Sequence, residues 1–110
     1  MKIATLLLQP AEITAPGSID AMVVNRGDEP LEYGLAYGIE HWDGERWQET
    51  DIAPDSFLAI AIIVRPGEIG QSNSVQIPTE VKPGFYRVTK STVGAEPGTA
   101  LELRALFQVR

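Results

Sequence analysis

Val81-Lys82-Pro83-Gly84-Phe85-Tyr86-Arg87 is the stretch whose reading decides the fold. Pro83 fixes its own φ, and Gly84 tolerates backbone conformations closed to other residues, so the pair makes a turn. The turn hands the chain to Phe85-Tyr86-Arg87-Val88, a run of β-prone residues near the C-terminal end. A tyrosine delivered this way can fold its hydroxyl back onto the corner between two successive strands of a sandwich. For Tyr86 the expected role is that corner hydrogen bond, worth on the order of 1 kcal/mol.

Working outward, turn signals recur along the chain. They are Pro16-Gly17, Arg26-Gly27-Asp28, Asp43-Gly44, Pro54-Asp55, Pro66-Gly67, Pro83-Gly84 and Pro97-Gly98. Short apolar-rich segments lie between them, which is the mark of an antiparallel sandwich or barrel. No window sustains a helical period. Alternation predicts strands at Ile3–Gln9, Ser18–Asn25, Leu35–Trp42, Arg46–Thr50, Leu58–Val64, Ser72–Ile77, Phe85–Thr92 and Leu101–Val109. Ile19, Ala21 and Val23 read as inward, as do Tyr37 and Ile39. On the last strand Leu101, Leu103, Ala105, Phe107 and Val109 share the inner face, opposite Glu102, Arg104 and Gln108. Asp43-Gly44 predicts a tight type I′ hairpin. Trp47, just beyond it, is expected to be the large aromatic of the core. The fold class is therefore all-β: an immunoglobulin-like antiparallel β-sandwich of seven or eight strands, with residues 1–110 forming one domain.

Composition narrows the function. The 110 residues include no cysteine, so neither a disulfide nor a thiolate metal site can form. An apolar fraction of 44% supports a core without such staples. Net charge is −6, and nine of the fifteen carboxylates lie between Asp28 and Asp55, where Arg46 is the only basic residue. That acidity disfavours a nucleic-acid partner. It reads either as a solvated face or as a docking surface for a basic partner. Ile3–Leu8 is too short for a signal core and meets Gln9-Pro10 without a cleavage site. If the protein is exported, its signal has been removed or belongs to a longer parent chain. No stretch has the length of a membrane span.

Leu58-Ala59-Ile60-Ala61-Ile62-Ile63-Val64 breaks the alternation by being apolar on both faces. Either the fold covers it on both sides, or its outer residues Ala59, Ala61 and Ile63 meet another chain, including a second copy. Met22 and Val24, which read as outward, are ordinary scattered surface residues.

Candidate chemistry is sparse. His41, the single histidine, sits mid-strand with no nucleophile motif nearby, so a packing or surface role is expected and a catalytic role is not. One histidine without cysteine does not make a zinc site. Glu40, Asp43, Glu45 and Glu49 gather around one hairpin and could in principle act as paired carboxylates, but exposed hairpin acids are ordinarily just solvated. Asp51 and Asp55 match no calcium-loop spacing. Tyr33, Tyr37, Trp42 and Trp47 would suit a sugar platform only if exposed. Tyr37 and Trp47 read as core, which leaves Trp42 and Tyr33 for the surface. Arg87 faces away from Tyr86 and is expected to pair with Glu40 across neighbouring strands, as a structural contact. No cofactor is implied.

These elements occur in a familiar order: Asn25-Arg26-Gly27-Asp28-Glu29-Pro30-Leu31 after the second strand, Tyr33-Gly34, then Tyr37-Gly38-Ile39-Glu40, the hairpin Asp43-Gly44-Glu45-Arg46-Trp47, Val64-Arg65-Pro66-Gly67-Glu68 and the corner Gly84-Phe85-Tyr86-Arg87-Val88. Over roughly Ile19 to Thr92 the chain resembles the bacterial immunoglobulin-like domain family with a Gly-x-Tyr-Arg corner. The resemblance implies a non-enzymatic accessory or protein-binding module of a bacterial envelope or secreted protein. Its partner would be another protein or the flanking domains of a parent chain. An extracellular or envelope location follows from the resemblance alone; with no signal peptide in the chain, the cytoplasm stays open. More loosely, the Asn turn, the Pro-Gly-Glu turn and the Pro-Gly-x-Tyr corner resemble intracellular proteinase-inhibitor domains of bacilli. On that alternative the irregular segment Thr50–Phe57, with Ile52-Ala53-Pro54, would be the loop presented to a protease. The loop motifs of chagasin-like inhibitors are missing.

Overall fold

The last two long strands carry the architecture. In β9 (Gly84–Val93), alternate residues Tyr86, Val88, Lys90 and Thr92 are buried, and in β10 (Glu102–Val109) Leu103, Phe107 and Val109 are. They pair antiparallel from Gly84↔Val109 to Ser91↔Glu102, which keeps all these side chains on one face. This computed structural model describes residues 2–94 and 99–110, so Met1 and the Pro97-Gly98 turn lie outside the described residues. No helix forms among the described residues.

The remaining strands are β1 (Ala4–Gln9), β2 (Glu12–Ile13), β3 (Gly17–Asn25), β4 (Leu31–Tyr33), β5 (Gly38–Trp42), β6 (Trp47–Glu49), β7 (Ile62–Val64) and β8 (Asn73–Ile77). One sheet has three strands in the order β1-β3-β8; the other has seven, running β2-β10-β9-β4-β7, with β5 also against β9 and β6 against β5. All pairs are antiparallel except β2 with β10, where Glu12 and Ile13 run parallel to Gln108 and Val109. The two inner faces meet in one core of Leu8, Ile19, Val23 and Val75 from the smaller sheet and Ile39, Val88, Phe107 and Val109 from the larger. Fully burying each such side chain contributes roughly 1.5–3 kcal/mol. The fold is an immunoglobulin-like β-sandwich.

Asn25 ties the two sheets at one end. It is 1% exposed at the end of β3. Its amide donates to Val64 O and Glu29 O, both at 2.8 Å, and its Oδ1 accepts from Gly27 N–H at 3.0 Å. Its backbone N–H donates to Glu68 O and its carbonyl accepts from Gly67 N–H. Gly67 has φ 81°, the left-handed conformation that the Pro66-Gly67 turn requires.

Several expectations need correction. Leu35–Trp42 becomes a strand only from Gly38, while Leu31–Tyr33 forms a strand that alternation missed. Tyr33, read as a surface residue, is 1% exposed in the core. Asp43-Gly44 does not form a type I′ turn, because only Gly44 has positive φ (100°). Trp42 lies opposite Trp47, and residues 43–46 close the hairpin through Asp43 N–H to Arg46 O. Leu58–Val64 shrinks to Ile62–Val64. Among the described residues its only ladder partner is β4, which has three residues, so Leu58–Ala61 has no strand there to pair with. Ile60 N–H donates to Leu58 O instead, a closure no strand makes.

Candidate functional site

The outer face of the larger sheet gathers most of the residues the sequence singled out. In β5 and β6 the register Glu40↔Glu49 and Trp42↔Trp47 puts all four side chains on one face. Across the other edge of β5, Glu40 lies opposite Arg87 of β9. Arg87 Nε donates to Glu40 Oε1 at 2.5 Å, with each side chain about one-fifth exposed (23% and 21%). The Arg87 guanidinium also lies 4.4 Å from the Trp47 ring centroid. Trp47 in turn leans on Trp42, at 5.4 Å and 55°. Trp47 is therefore half-buried on the outer surface and not a core aromatic. The large aromatics of the core are Tyr33, Tyr86 and Phe107. Any hairpin pairing that joins Glu40 or Trp42 to Trp47 sets them on one face, so hairpin parity already contained this answer; size alone suggested the core. Trp42, Phe85 and Leu106 remain exposed on the same sheet.

The hairpin acids divide by role. The Asp43 carboxylate accepts from the N–H groups of Arg46 and Glu45, both at 2.8 Å, and from the Gln48 amide at 3.0 Å. These bonds, that of Arg46 first, hold its carboxyl below the usual range. Asp43 is thus a turn cap. Glu45 and Glu49 are exposed. Glu40, Glu49, Asp51 and Asp55 border a shallow depression of about 380 Å3. Among the described residues, no three acidic or histidine side chains converge in a way that could hold a metal ion.

Tyr86 lies at the corner. Its Oη donates to Lys82 O at 2.7 Å, and its ring stacks on Phe107 at 5.5 Å and meets His41 at 4.7 Å. Burial raises the phenol's pKa. Gly84 has φ 153°, which favours glycine, and a Cβ there would press on His41, 3.1 Å from its Nε2. His41 is a packing partner of the corner and borders a cavity of about 420 Å3 with Asp51, Glu80 and Lys82. Tyr37 is half-buried against the core, edge-on to Phe57 at 5.2 Å.

Ala59, Ala61 and Ile63 are all exposed. So are Leu58 (73%) and Ile60 (48%), which alternation had placed inward. Thr50–Phe57 has no strand beyond the end of β6. Sequence reasoning passed over Lys90, which alternation along β9 places inward with Tyr86 and Val88 and which is 4% exposed.

One family matches the chain over residues 4–108, and its description is a bacterial Ig-like domain. Among curated proteins none matches significantly.

Proposed function

Because the chain belongs to the bacterial Ig-like domain family, we propose that it is a non-catalytic binding module of a bacterial envelope or secreted protein. The family is generally non-catalytic and often extracellular or envelope-associated. No helix among the described residues is long and apolar enough to cross a membrane.

The observation that carries the reading is the uncovered apolar segment at the β7 edge. Leu58, Ile60 and Ile63 are 73%, 48% and 68% exposed, and among the described residues β7 has a strand neighbour on one side only. Apolar surface next to an unpaired edge is a template for another chain. The partner is another protein, a flanking domain of a parent chain, or a second copy pairing β7 to β7. Light scattering across a concentration series tests the second copy. Reversible dimerisation in the wild type that Ile63→Lys abolishes supports it. A strict monomer at every concentration removes it and leaves the heterologous partners.

One observation favours a second reading. The segment from Asp51 to Ala61 is irregular and largely exposed, the geometry of a presented loop. A proteinase inhibitor would use it. Titration against a panel of serine and cysteine proteases decides between the two readings. Saturating one-to-one inhibition, lost on changes at Ile52-Ala53-Pro54, replaces the module reading.

A further inference from the structure

Lys90 is a cation buried without a countercharge. Strand alternation aims it into the sandwich, where it is 4% exposed. Its ammonium has three hydrogens to donate. Among the described residues its one hydrogen-bond acceptor is Ala36 O at 3.1 Å, and the Tyr33 ring lies 5.4 Å away. Among those residues no carboxylate pairs with it; the ion pairs are Arg87 with Glu40 and Arg110 with Glu12. A buried charge is costly unless something of opposite sign meets it.

Lys90 also borders open space. Between the end of the β4 pairing at Tyr33↔Thr92 and the start of the β5 pairing at Gly38↔Thr89, the flank of β9 is uncovered. There Gly34, Ala36, Gly38, Thr89 and Lys90 line a cavity of about 210 Å3. At about 30 Å3 per water, that is room for roughly seven waters. Tyr37 and Ser91 complete the wall, and a Cβ at Gly38 would come within 2.7 Å of Thr89 Oγ1.

We propose that this notch is an anion-binding site in which Lys90 captures a small monovalent carboxylate. A single positive charge and a small cavity select a ligand of that size and charge, and the net charge of −6 opposes anything more highly charged. Desolvation draws the ammonium's pKa down to about 8, the sign of a charge still lacking its partner.

Sodium formate is the probe, titrated at constant ionic strength and followed in amide proton–nitrogen NMR spectra. Saturable shifts confined to Gly34, Ala36, Gly38 and residues 89–91, with a millimolar midpoint and absent from Lys90→Met, are expected. Shifts that grow linearly without saturating, or that persist unchanged in Lys90→Met, overturn the site. A second measurement needs no variant. In the wild type, formate should raise the pH midpoint of the Lys90 Cε resonance, and an unmoved midpoint overturns the proposal.

Discussion

Replacing Asn25 by alanine removes three hydrogen bonds at the junction of the two sheets. The carbonyls of Val64 and Glu29 lose their donor and Gly27 N–H loses its acceptor. The Val64 bond is fully buried and the other two partly so. A buried polar group left unsatisfied costs about 1–3 kcal/mol. Counting the buried carbonyl near the top of that range and the others near the bottom, Asn25→Ala should lose about 3–5 kcal/mol. Against a typical domain stability of about 5–15 kcal/mol this is a large share. Asn25→Asp is the sharper perturbation, because it turns the donating amide into an oxygen facing two carbonyl oxygens. Its carboxyl should have a raised folded-state pKa, since burial and those lone pairs both oppose ionisation. A group with a raised folded pKa stabilises below its unfolded value and loses that contribution as pH rises through the folded one. Asn25→Asp should therefore approach Asn25→Ala near pH 4 and fall below it at pH 7. Urea unfolding monitored by tryptophan fluorescence at both pH values measures this. A loss under about 1 kcal/mol for Asn25→Ala, or no pH dependence for Asn25→Asp, refutes the reasoning.

Three further outcomes are expected. Tyr86→Phe removes the hydrogen bond to Lys82 O and should cost about 1 kcal/mol in urea unfolding while leaving the stacked ring in place. Glu40→Gln and Arg87→Gln should each destabilise the fold by about 1 kcal/mol or less for this partly exposed pair, and so lower the melting temperature, Arg87→Gln more because Trp47 also loses its cation; wild-type melting in both variants contradicts a structural role. Lys90→Met keeps the apolar stem and deletes the buried charge, so it should stabilise the fold at pH 7 by roughly 1–3 kcal/mol. The wild type should itself gain stability as pH rises from about 8 toward 10.5, where the unfolded chain holds a proton the folded one has released. The gap between the two should close over that window in pH-resolved unfolding.

Much of the fold was legible because period-two alternation is strong where a strand has one wet face. Ile19, Ala21 and Val23 in β3 and Leu103, Phe107 and Val109 in β10 are buried as their spacing predicts. The neighbouring of β5 and β9, which sets Glu40 opposite Arg87, follows from sandwich topology. What failed were places where partner length or side-chain size decides. Leu31–Tyr33 is too short to show a period, so Tyr33 was lost from the core. β2 has two residues and pairs in parallel at long range, which no local pattern announces. Leu58–Ala61 has strand composition, yet its neighbour in the sheet ends too soon. Trp47 was misplaced by its bulk, although hairpin parity spoke for the outer face. Asn25 and Lys90 stood at inward positions of their strands; polarity hid them, and only a count of their partners shows what each does.

The parallel pairing of β2 with β10 gives the chain a mechanical property. The backbone bonds from Gln108 N–H to Ala11 O and from Arg110 N–H to Ile13 O lie close to the last residue, and Arg110 bonds Glu12 beside them. If tension reaches the chain through its two ends, β1 and β2 are drawn one way and β10 the other, so the load falls on the β1–β3 ladder as well as on the β2–β10 pair. The bonds between β2 and β10 then share the load in shear, where an antiparallel hairpin pulled at its open ends would unzip bond by bond.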